Sequence, residues 1–224
     1  MGLMDNLQSY VGKLSSGRVS FDPSCFDDPL ALDTEWTPLK RGGANFCTHK
    51  LYQSDFDRYE FRVTIFARLF CSIFLLVGLG TMFVPPIINI LKGRSLWQGF
   101  ETIFLFLFGL VFAFVGYMLL VHYIVPIAFD KKNGYFWKGR KSPDYIVNVD
   151  VIKHVVLLDN IHAIQLISER CKGENGFYLS YELNLVLEDA SRMNVIDHGN
   201  KTSIIQDANK LSFFLGVPVW NAMD

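Results

Sequence analysis

The sequence lacks the closely spaced cysteines and histidines that build disulfide frameworks and zinc sites. Its four cysteines are far apart and form no C-x-x-C pair: Cys25, Cys47, Cys71 and Cys171. His49 is the histidine nearest to any of them, and it follows Cys47 at a spacing that is too short for a metal-ligand pair. We therefore expect reduced thiols, no disulfide and no metal site.

Motifs of common catalytic sites are also missing. The sequence contains no G-x-S-x-G and no H-E-x-x-H, and no Lys followed by Ser or Thr comes after Gly42–Gly43. This argues against a serine hydrolase, a zinc protease and a P-loop nucleotide enzyme, and we predict no enzyme activity and no cofactor. Nucleic-acid binding lacks support as well, because most aromatic residues lie in apolar runs or on predicted hairpins.

Charged residues are absent from two long segments. No Asp, Glu, Lys or Arg occurs from Leu69 to Leu91 or from Thr102 to Phe129. At about 1.5 Å per residue, a helix over either segment spans the roughly 30 Å hydrocarbon core of a bilayer. The second segment contains IFLFLFGLVFAFVGYMLLV, which has no polar face to turn toward water. We predict a hairpin of two transmembrane helices over residues 65–126, with two buried helices of a soluble protein as the alternative.

The first predicted helix contains a proline pair. Pro85 and Pro86 remove amide donors from the helical hydrogen-bond ladder, so we expect the regular helix to end near Phe83. The residues that follow would then lie along the outer membrane interface, with Trp97 as an anchor at headgroup level.

Small residues lie along one face of the second predicted helix. Gly109, Ala113 and Gly116 are spaced by four and then three residues, which permits close approach of another helix. We expect this face to pack against the first helix, where Gly78 and Gly80 are the counterparts. Self-association into a homo-oligomer is the alternative.

Lysines and arginines predict the orientation of the hairpin. Only Lys92 and Arg94 lie between the two helices, whereas five cations closely follow the second helix: Lys131, Lys132, Lys138, Arg140 and Lys141. The positive-inside rule therefore places both termini in the cytoplasm. The same five residues are candidate contacts to anionic lipid at the membrane surface. The polar start of the chain does not resemble a cleaved signal peptide.

The segments on both sides of the hairpin show β patterns. Residues 1–64 are predicted to be a cytoplasmic segment, partly extended, with a short helix in LMDNLQSYVGKL and one or two strands in THKLYQSDFDRYEFRV that could pair with the C-terminal sheet. After residue 127, β-branched runs alternate with turns, among them KKNG, where Asn133–Gly134 favours a hairpin. The segment ERCKGENGF is predicted to be a polar loop.

The C-terminal part of residues 127–224 predicts a helix. Its apolar stripe consists of Ile204, Ala208, Leu211 and Leu215. Gly216 is suited to end this helix, and Pro218 prevents its continuation. About five to seven strands closed by one C-terminal helix indicate an α+β, mainly-β domain like the pleckstrin-homology domain.

The order of these parts resembles that of known bacterial membrane proteins. Two helices are followed by FDKKNGYFWKGR, IHAIQLISE, SYELNLVLEDASRMNVIDHG and DANKLSFFLGVPVW. This order, over roughly residues 33–221, is similar to that of uncharacterised bacterial two-span inner-membrane proteins with a pleckstrin-homology-like cytoplasmic domain. The resemblance implies a multi-pass protein of the bacterial inner membrane. It implies no activity and no binding residue.

The stretch NVIDHGN places an aspartate beside a histidine at the end of a predicted strand. Adjacent strand residues point to opposite faces, so Asp197 and His198 cannot act together on one substrate. Gly199 permits a turn, and Asn200 or Thr202 is suited to cap the following helix. We expect Asp197, His198 and Gly199 to form a structural junction.

His122 is the other candidate for chemistry, because an ionisable group within a membrane segment is often functional. Neither uncharged segment offers it an acidic partner. The sequence favours a non-enzymatic interaction module at the membrane, acting as an accessory, scaffold or regulatory subunit that binds another membrane or cytoplasmic protein. Two alternatives stay open. One is a protective factor against a membrane-targeted toxin; the other is a small transporter subunit or membrane-embedded enzyme that uses His122 or Asp197 and His198.

Overall fold

The computed structural model describes residues 21–140, 155–173 and 176–223. The helix predicted in LMDNLQSYVGKL and the cation Lys141 lie outside these residues. The described chain has two long apolar helices and a sheet-rich domain with a C-terminal helix. Its helices are α1 (Pro29–Asp33), α2 (Ile65–Leu91), α3 (Phe100–Tyr123) and α4 (Lys201–Leu215). Its strands are β1 (His49–Asp55), β2 (Arg58–Val63), β3 (Ile127–Asp130), β4 (Tyr135–Lys138), β5 (Val155–Leu157), β6 (Ile161–Gly173), β7 (Gly176–Leu187), β8 (Arg192–His198) and β9 (Val219–Ala222).

Helices α2 and α3 pack against each other and expose most of their apolar surface. Only 17% of the most apolar stretch of α2 and 11% of that of α3 is buried. A core helix of a soluble domain would bury most of such a stretch. Both helices are long and apolar enough to cross a membrane.

Helix α2 continues through its prolines to Leu91, so the predicted end near Phe83 is wrong. The buried side chain of Asn89 explains why the last turns stay helical. Its amide nitrogen Nδ2 donates to the Gln98 carbonyl at 3.1 Å and to Thr102 Oγ1 at 3.0 Å. These bonds fix the end of α2 to the connecting loop and to the start of α3, which offsets the amide bonds lost at the prolines.

Glycine permits the close packing of α2 against α3. A Cβ atom added to Gly78 would lie 2.7 Å from the Ala113 Cα, and one added to Gly109 would lie 2.5 Å from the Gly78 carbonyl oxygen. Gly116 approaches the α2 backbone in the same way. The small-residue face of α3 therefore lies against α2, with Gly78 as its counterpart. Gly80 has open space at its Cβ position, so its predicted part in this contact is wrong.

The first sheet has the strand order β1-β2-β3-β4-β5 and is antiparallel throughout. Strands from both sides of the helical hairpin meet in it, because Phe61 of β2 lies opposite Ile127 of β3. The turn between β3 and β4 forms as the sequence predicts, with Gly134 at φ +76° and the Asn133 amide bonded to the Asp130 carboxylate.

The second sheet has the order β8-β7-β6-β9, in which β9 runs parallel to β6. The segment ERCKGENGF, predicted as a loop, lies mostly in β6 and β7. Cross-strand packing favours this extension, since the Arg170 guanidinium stands 4.2 Å from the ring centroid of Phe177. Strand β9 is not predicted by the sequence. It pairs with β6, where the nearly fully buried Trp220 lies opposite Gln165.

Both sheets and α4 share one apolar core. Its fully buried members on β6, β7 and α4 are Ile164, Leu166, Leu183, Leu185, Ile204, Ala208 and Leu211. Asn200 caps α4 by accepting the Ser203 N–H at 2.9 Å, and Gly216 ends it at φ +81°. The C-terminal helix therefore closes the domain with the stripe that the sequence predicts, although Leu215 is only partly buried.

Residues 21–46 lie across the outer face of the second sheet, and we call this segment the strap. Its aromatic rings pack against one another and against β9: the centroids of Phe26 and Trp36 are 5.3 Å apart, and those of Trp36 and Trp220 are 5.9 Å apart. They cover Ala163 and Val186, which form a second small core. Both faces of the second sheet are thus buried, although the sequence predicts only extended loop for the strap.

Candidate functional site

The two long helices join the first sheet through very short links. Thr64 alone separates β2 from α2, and residues 124–126 separate α3 from β3. The Thr64 hydroxyl donates to the Cys47 carbonyl at 2.8 Å and accepts from the Ala67 N–H at 3.2 Å. The helices therefore have fixed positions relative to the domain, and we call the end of the domain at this junction the helix-proximal end.

A cavity of about 300 Å³ lies at the helix-proximal end, between the strap, the end of β4, β8 and the last turn of α3. We call it the basic pocket. Its charged and imidazole-bearing lining residues are Lys40, Arg41, His49, His122, Lys138 and Asp197. Its larger apolar lining residues are Val125, Ile127, Val195 and Ile196. The pocket thus combines a cationic rim with an apolar wall.

Hydrogen bonds to β8 hold the Lys138 ammonium group in the pocket. The ammonium group donates to the Val195 carbonyl at 2.7 Å and lies 3.4 Å from the side-chain oxygen of Asn194. Burial, and next the nearby charge of Lys40, lower the pKa of Lys138 to about 8. The group is still mostly protonated at pH 7, so two positive charges face each other in the pocket.

Asp197 is the one acidic side chain among the described residues that line the pocket. Its carboxylate accepts a hydrogen bond from the Asn194 amide at 2.6 Å. Burial raises the pKa of Asp197, and this hydrogen bond and the charges of Lys40 and Lys138 oppose that rise. One carboxylate therefore stands among the three lining cations, and the nearby Glu169 carboxylate also raises the pKa of Asp197.

Two carboxylates, one on β6 and one on β7, hold the strap over the pocket. Glu182 is 1% exposed, and its two oxygens accept the N–H groups of Leu39 at 2.9 Å and Lys40 at 2.7 Å. Glu169 accepts the N–H of Gly42 at 3.1 Å. Burial raises the pKa of Glu182, against the hydrogen bonds that stabilise its charged form. These bonds fix the position from which Lys40 enters the pocket.

Asp197 and His198 make separate contacts on β8. Whereas Asp197 lines the pocket, His198 is fully buried, and its Nδ1 accepts the N–H of Asn200 at 3.2 Å. Burial, and next the charges of His49 and Lys50, lower the pKa of His198 to about 4. The imidazole is therefore neutral at pH 7 and orients the residue that caps α4.

Gly199 allows the strap to approach this junction. Its N–H donates to the Phe46 carbonyl at 3.1 Å, and an added Cβ would lie 2.7 Å from the Asn45 Cα. Thr48 adds a bond from its hydroxyl to the Asp197 carbonyl at 3.0 Å. The turn after β8 thus connects β8, α4 and the end of the strap.

The structure divides the predicted lipid-contacting cations into two groups. Lys138 and Arg140 lie at the helix-proximal end, where Arg140 donates to the Val121 carbonyl of α3 at 3.1 Å. Lys131 and Lys132 lie in the turn at the opposite end of β3 and β4. Four strand residues span roughly 13 Å. The two lysines of the turn therefore do not belong to the same charge cluster.

Lys40 and Arg41 are pocket residues that the sequence did not identify. They directly precede Gly42–Gly43, where the sequence shows no phosphate-loop motif. The adjacent cations beside a glycine pair are the one local signal, and their convergence with Lys138 depends on contacts far along the chain. His122, considered as a group within the membrane, lies in the last turn of α3 and lines the same pocket.

No cluster of three or more Cys, His, Asp or Glu side chains suited to a metal ion occurs among the described residues. Comparisons with protein families, curated protein sequences and solved structures found no match.

Proposed function

We propose that this chain is a non-enzymatic interaction module of the bacterial inner membrane. In this proposal α2 and α3 cross the bilayer, both termini are cytoplasmic, and the sheet-rich domain is a pleckstrin-homology-like module. It serves as an accessory, scaffold or regulatory subunit of a membrane protein assembly.

The direct connection of both long helices to paired strands carries this proposal. Strands β2 and β3 are hydrogen-bonded neighbours, and each continues into a helix through a short link. The N–H of Thr64 also donates to the Thr48 carbonyl at 2.9 Å, which ties the start of α2 to the start of β1. A domain attached in this way keeps one face toward the membrane and presents the remainder to the cytoplasm, as a scaffold requires.

The exposed surface of the helices supports insertion into lipid. Large apolar side chains point outward along both helices; examples are Leu76 at 67%, Phe104 at 55% and Phe114 at 62% exposure. Transfer of each such side chain out of water contributes about 1.5 to 3 kcal/mol. A continuous surface of this kind favours lipid as its environment.

The position of charge supports the orientation. Lys138 and Arg140 lie at the helix-proximal end of the domain, while the connection between α2 and α3 holds only Lys92 and Arg94. Cations immediately beside a span favour the cytoplasmic side.

Reciprocal co-purification tests the interaction function. The full chain, tagged at its C-terminus, is extracted from bacterial membranes in a mild detergent, and proteins in stoichiometric amounts are identified by mass spectrometry. We expect a specific membrane or cytoplasmic protein to co-purify with this chain. When that partner carries the tag instead, it should in turn recover this chain. The proposal would be contradicted if the chain were recovered alone both from membranes of cells that express it at its natural level and from membranes treated with a cross-linker.

Substitution at the junction distinguishes the module from an enzyme. We expect Asp197→Asn and His198→Asn to reduce any cellular phenotype only together with thermal stability, because the Asp197 carboxylate bonds to Asn194 within β8 and His198 orients the residue that caps α4. A measured turnover that either variant abolishes at unchanged thermal stability would support the enzyme alternative instead.

A further inference from the structure

We propose that the basic pocket binds the phosphate group of an anionic lipid headgroup, with Lys40 and Lys138 as its principal cations. This inference rests on the proposed function, because it requires α2 and α3 to lie in a bilayer. A soluble phosphate ester offers the same phosphate chemistry, and glycerol 1-phosphate as a probe distinguishes it from a lipid.

The lining of the pocket has more cations than carboxylates. Three cations line the pocket against one carboxylate, and no salt bridge in the described part of the chain pairs Lys40, Arg41 or Lys138 with an acidic group. Lys138 is held in place by uncharged oxygens of Asn194 and Val195, and the Asp197 carboxylate offsets only part of the charge of Lys138 and Lys40. An anion between Lys40 and Lys138 would relieve their repulsion, and the exposed Lys40 ammonium would donate charge-assisted hydrogen bonds to it.

The pocket lies level with the end of α3. His122 and Val125, at and just after the end of α3, line it directly. Arg140 bonds to the Val121 carbonyl of the same helix. The end of a membrane-spanning helix lies at the depth of the lipid headgroups. A phosphate at this depth therefore reaches the pocket without leaving the membrane surface.

The size and the lining of the pocket suit a lipid headgroup. About 300 Å³ is at the lower end of the volumes of small-ligand sites and accommodates a phosphate with part of a glycerol group. The apolar wall formed by Val125, Ile127 and Ile196 would contact the carbon atoms of that group. Lys40 and Arg41 are exposed at the rim, so the headgroup has a route of entry.

Native mass spectrometry of the full chain in detergent micelles tests this site. The probes are dioleoyl phosphatidylglycerol, dioleoyl phosphatidylcholine and soluble glycerol 1-phosphate, each titrated against wild type and two single variants. Lys40→Gln removes a pocket cation that is exposed, which keeps the fold intact. Lys132→Gln removes an exposed cation of the distal turn and is the matched control.

We expect one phosphatidylglycerol per chain, bound more tightly than phosphatidylcholine. Lys40→Gln should weaken phosphatidylglycerol binding about fivefold, and Lys132→Gln should change it less than twofold. Equal affinity for both lipids, or equal losses in the two variants, would overturn the site. Glycerol 1-phosphate that binds as tightly as phosphatidylglycerol, with the same loss in Lys40→Gln, would overturn the lipid as the source while identifying a soluble phosphate ester.

Membrane residence is measured on the same three proteins by alkaline extraction of membranes. Wild type retained in the membrane but without lipid selectivity contradicts only the pocket. Wild type released without detergent contradicts the proposed function itself.

Discussion

The buried imidazole of His198 predicts a loss of stability in mild acid that one substitution removes. Its pKa is about 4 in the folded chain, against 6.5 as the ordinary value. The unfolded chain therefore takes up a proton near pH 6.5 that the folded chain refuses until about pH 4. The free energy of unfolding falls as the pH decreases through this window and levels off below it.

The magnitude follows from about 1.4 kcal/mol per pH unit for one proton. Between pH 7 and pH 4.5, this histidine should cost the wild type about 2 to 3 kcal/mol of stability. His198→Asn keeps an acceptor near the Asn200 N–H and does not titrate. The variant should be less stable than wild type at pH 7 because of lost packing, and this gap should shrink by the stated amount at pH 4.5. Asp197, Glu182 and Asp207, whose pKa values burial raises, are common to both proteins.

Urea unfolding in mild detergent, followed through tryptophan fluorescence at several pH values, measures this gap. His162→Asn is an internal control of opposite sign. The carboxylates of Asp28 at 2.8 Å and Glu188 at 3.4 Å raise the pKa of His162. Its stabilising contribution is therefore complete below pH 6.5 and is lost as the pH rises through the raised value. A gap between wild type and His198→Asn that is independent of pH would refute the assignment of a buried neutral imidazole.

Two further predictions use matched pairs of substitutions. Gly78→Leu should destabilise the packed helices by about 1 to 3 kcal/mol, because its side chain meets the α3 backbone. Gly80→Leu, with open space at its Cβ, should leave the melting temperature in detergent unchanged. Leu211→Ala removes a fully buried α4 side chain and should cost about 2 to 5 kcal/mol in urea unfolding. Phe213→Ala, at 93% exposure on the same helix, should cost almost nothing, and equal effects in either pair would contradict the packing described.

The sequence predicts those helices and turns whose own residues carry the signal. The absence of charge over two long segments is sufficient to predict α2 and α3, because apolar stretches of this length are typical of transmembrane helices. Helix α4 is similarly predictable from its apolar stripe and from Gly216, which favours the positive φ found at its end. Local signals also account for the turn at Asn133–Gly134.

Elements that depend on distant contacts are not predictable in this way. Pro85 and Pro86 indicate a helix end, but Asn89 fixes the following turns through bonds to α3 that no local pattern reveals. The strap has no periodic pattern of apolar residues, because its side chains pack on the outer face of the second sheet. The strands of that sheet come much later in the chain. The pocket depends on the strap, so Lys40 and Lys138 meet only after both sheets have formed.

The central claim is that the domain and the connection between α2 and α3 lie on opposite sides of a membrane. Cysteine labelling tests this claim most directly. Cys25 is exposed on the domain, and Arg94→Cys adds a thiol in the exposed connection between α2 and α3. Bacterial spheroplasts that express each protein are treated with a membrane-impermeant maleimide before or after lysis. The account predicts that the Arg94→Cys protein is labelled in intact spheroplasts. The wild-type protein, in which Cys25 is the exposed cysteine among the described residues, is labelled only after lysis. Labelling of Cys25 in intact spheroplasts, or recovery of the chain in the soluble fraction, would contradict it.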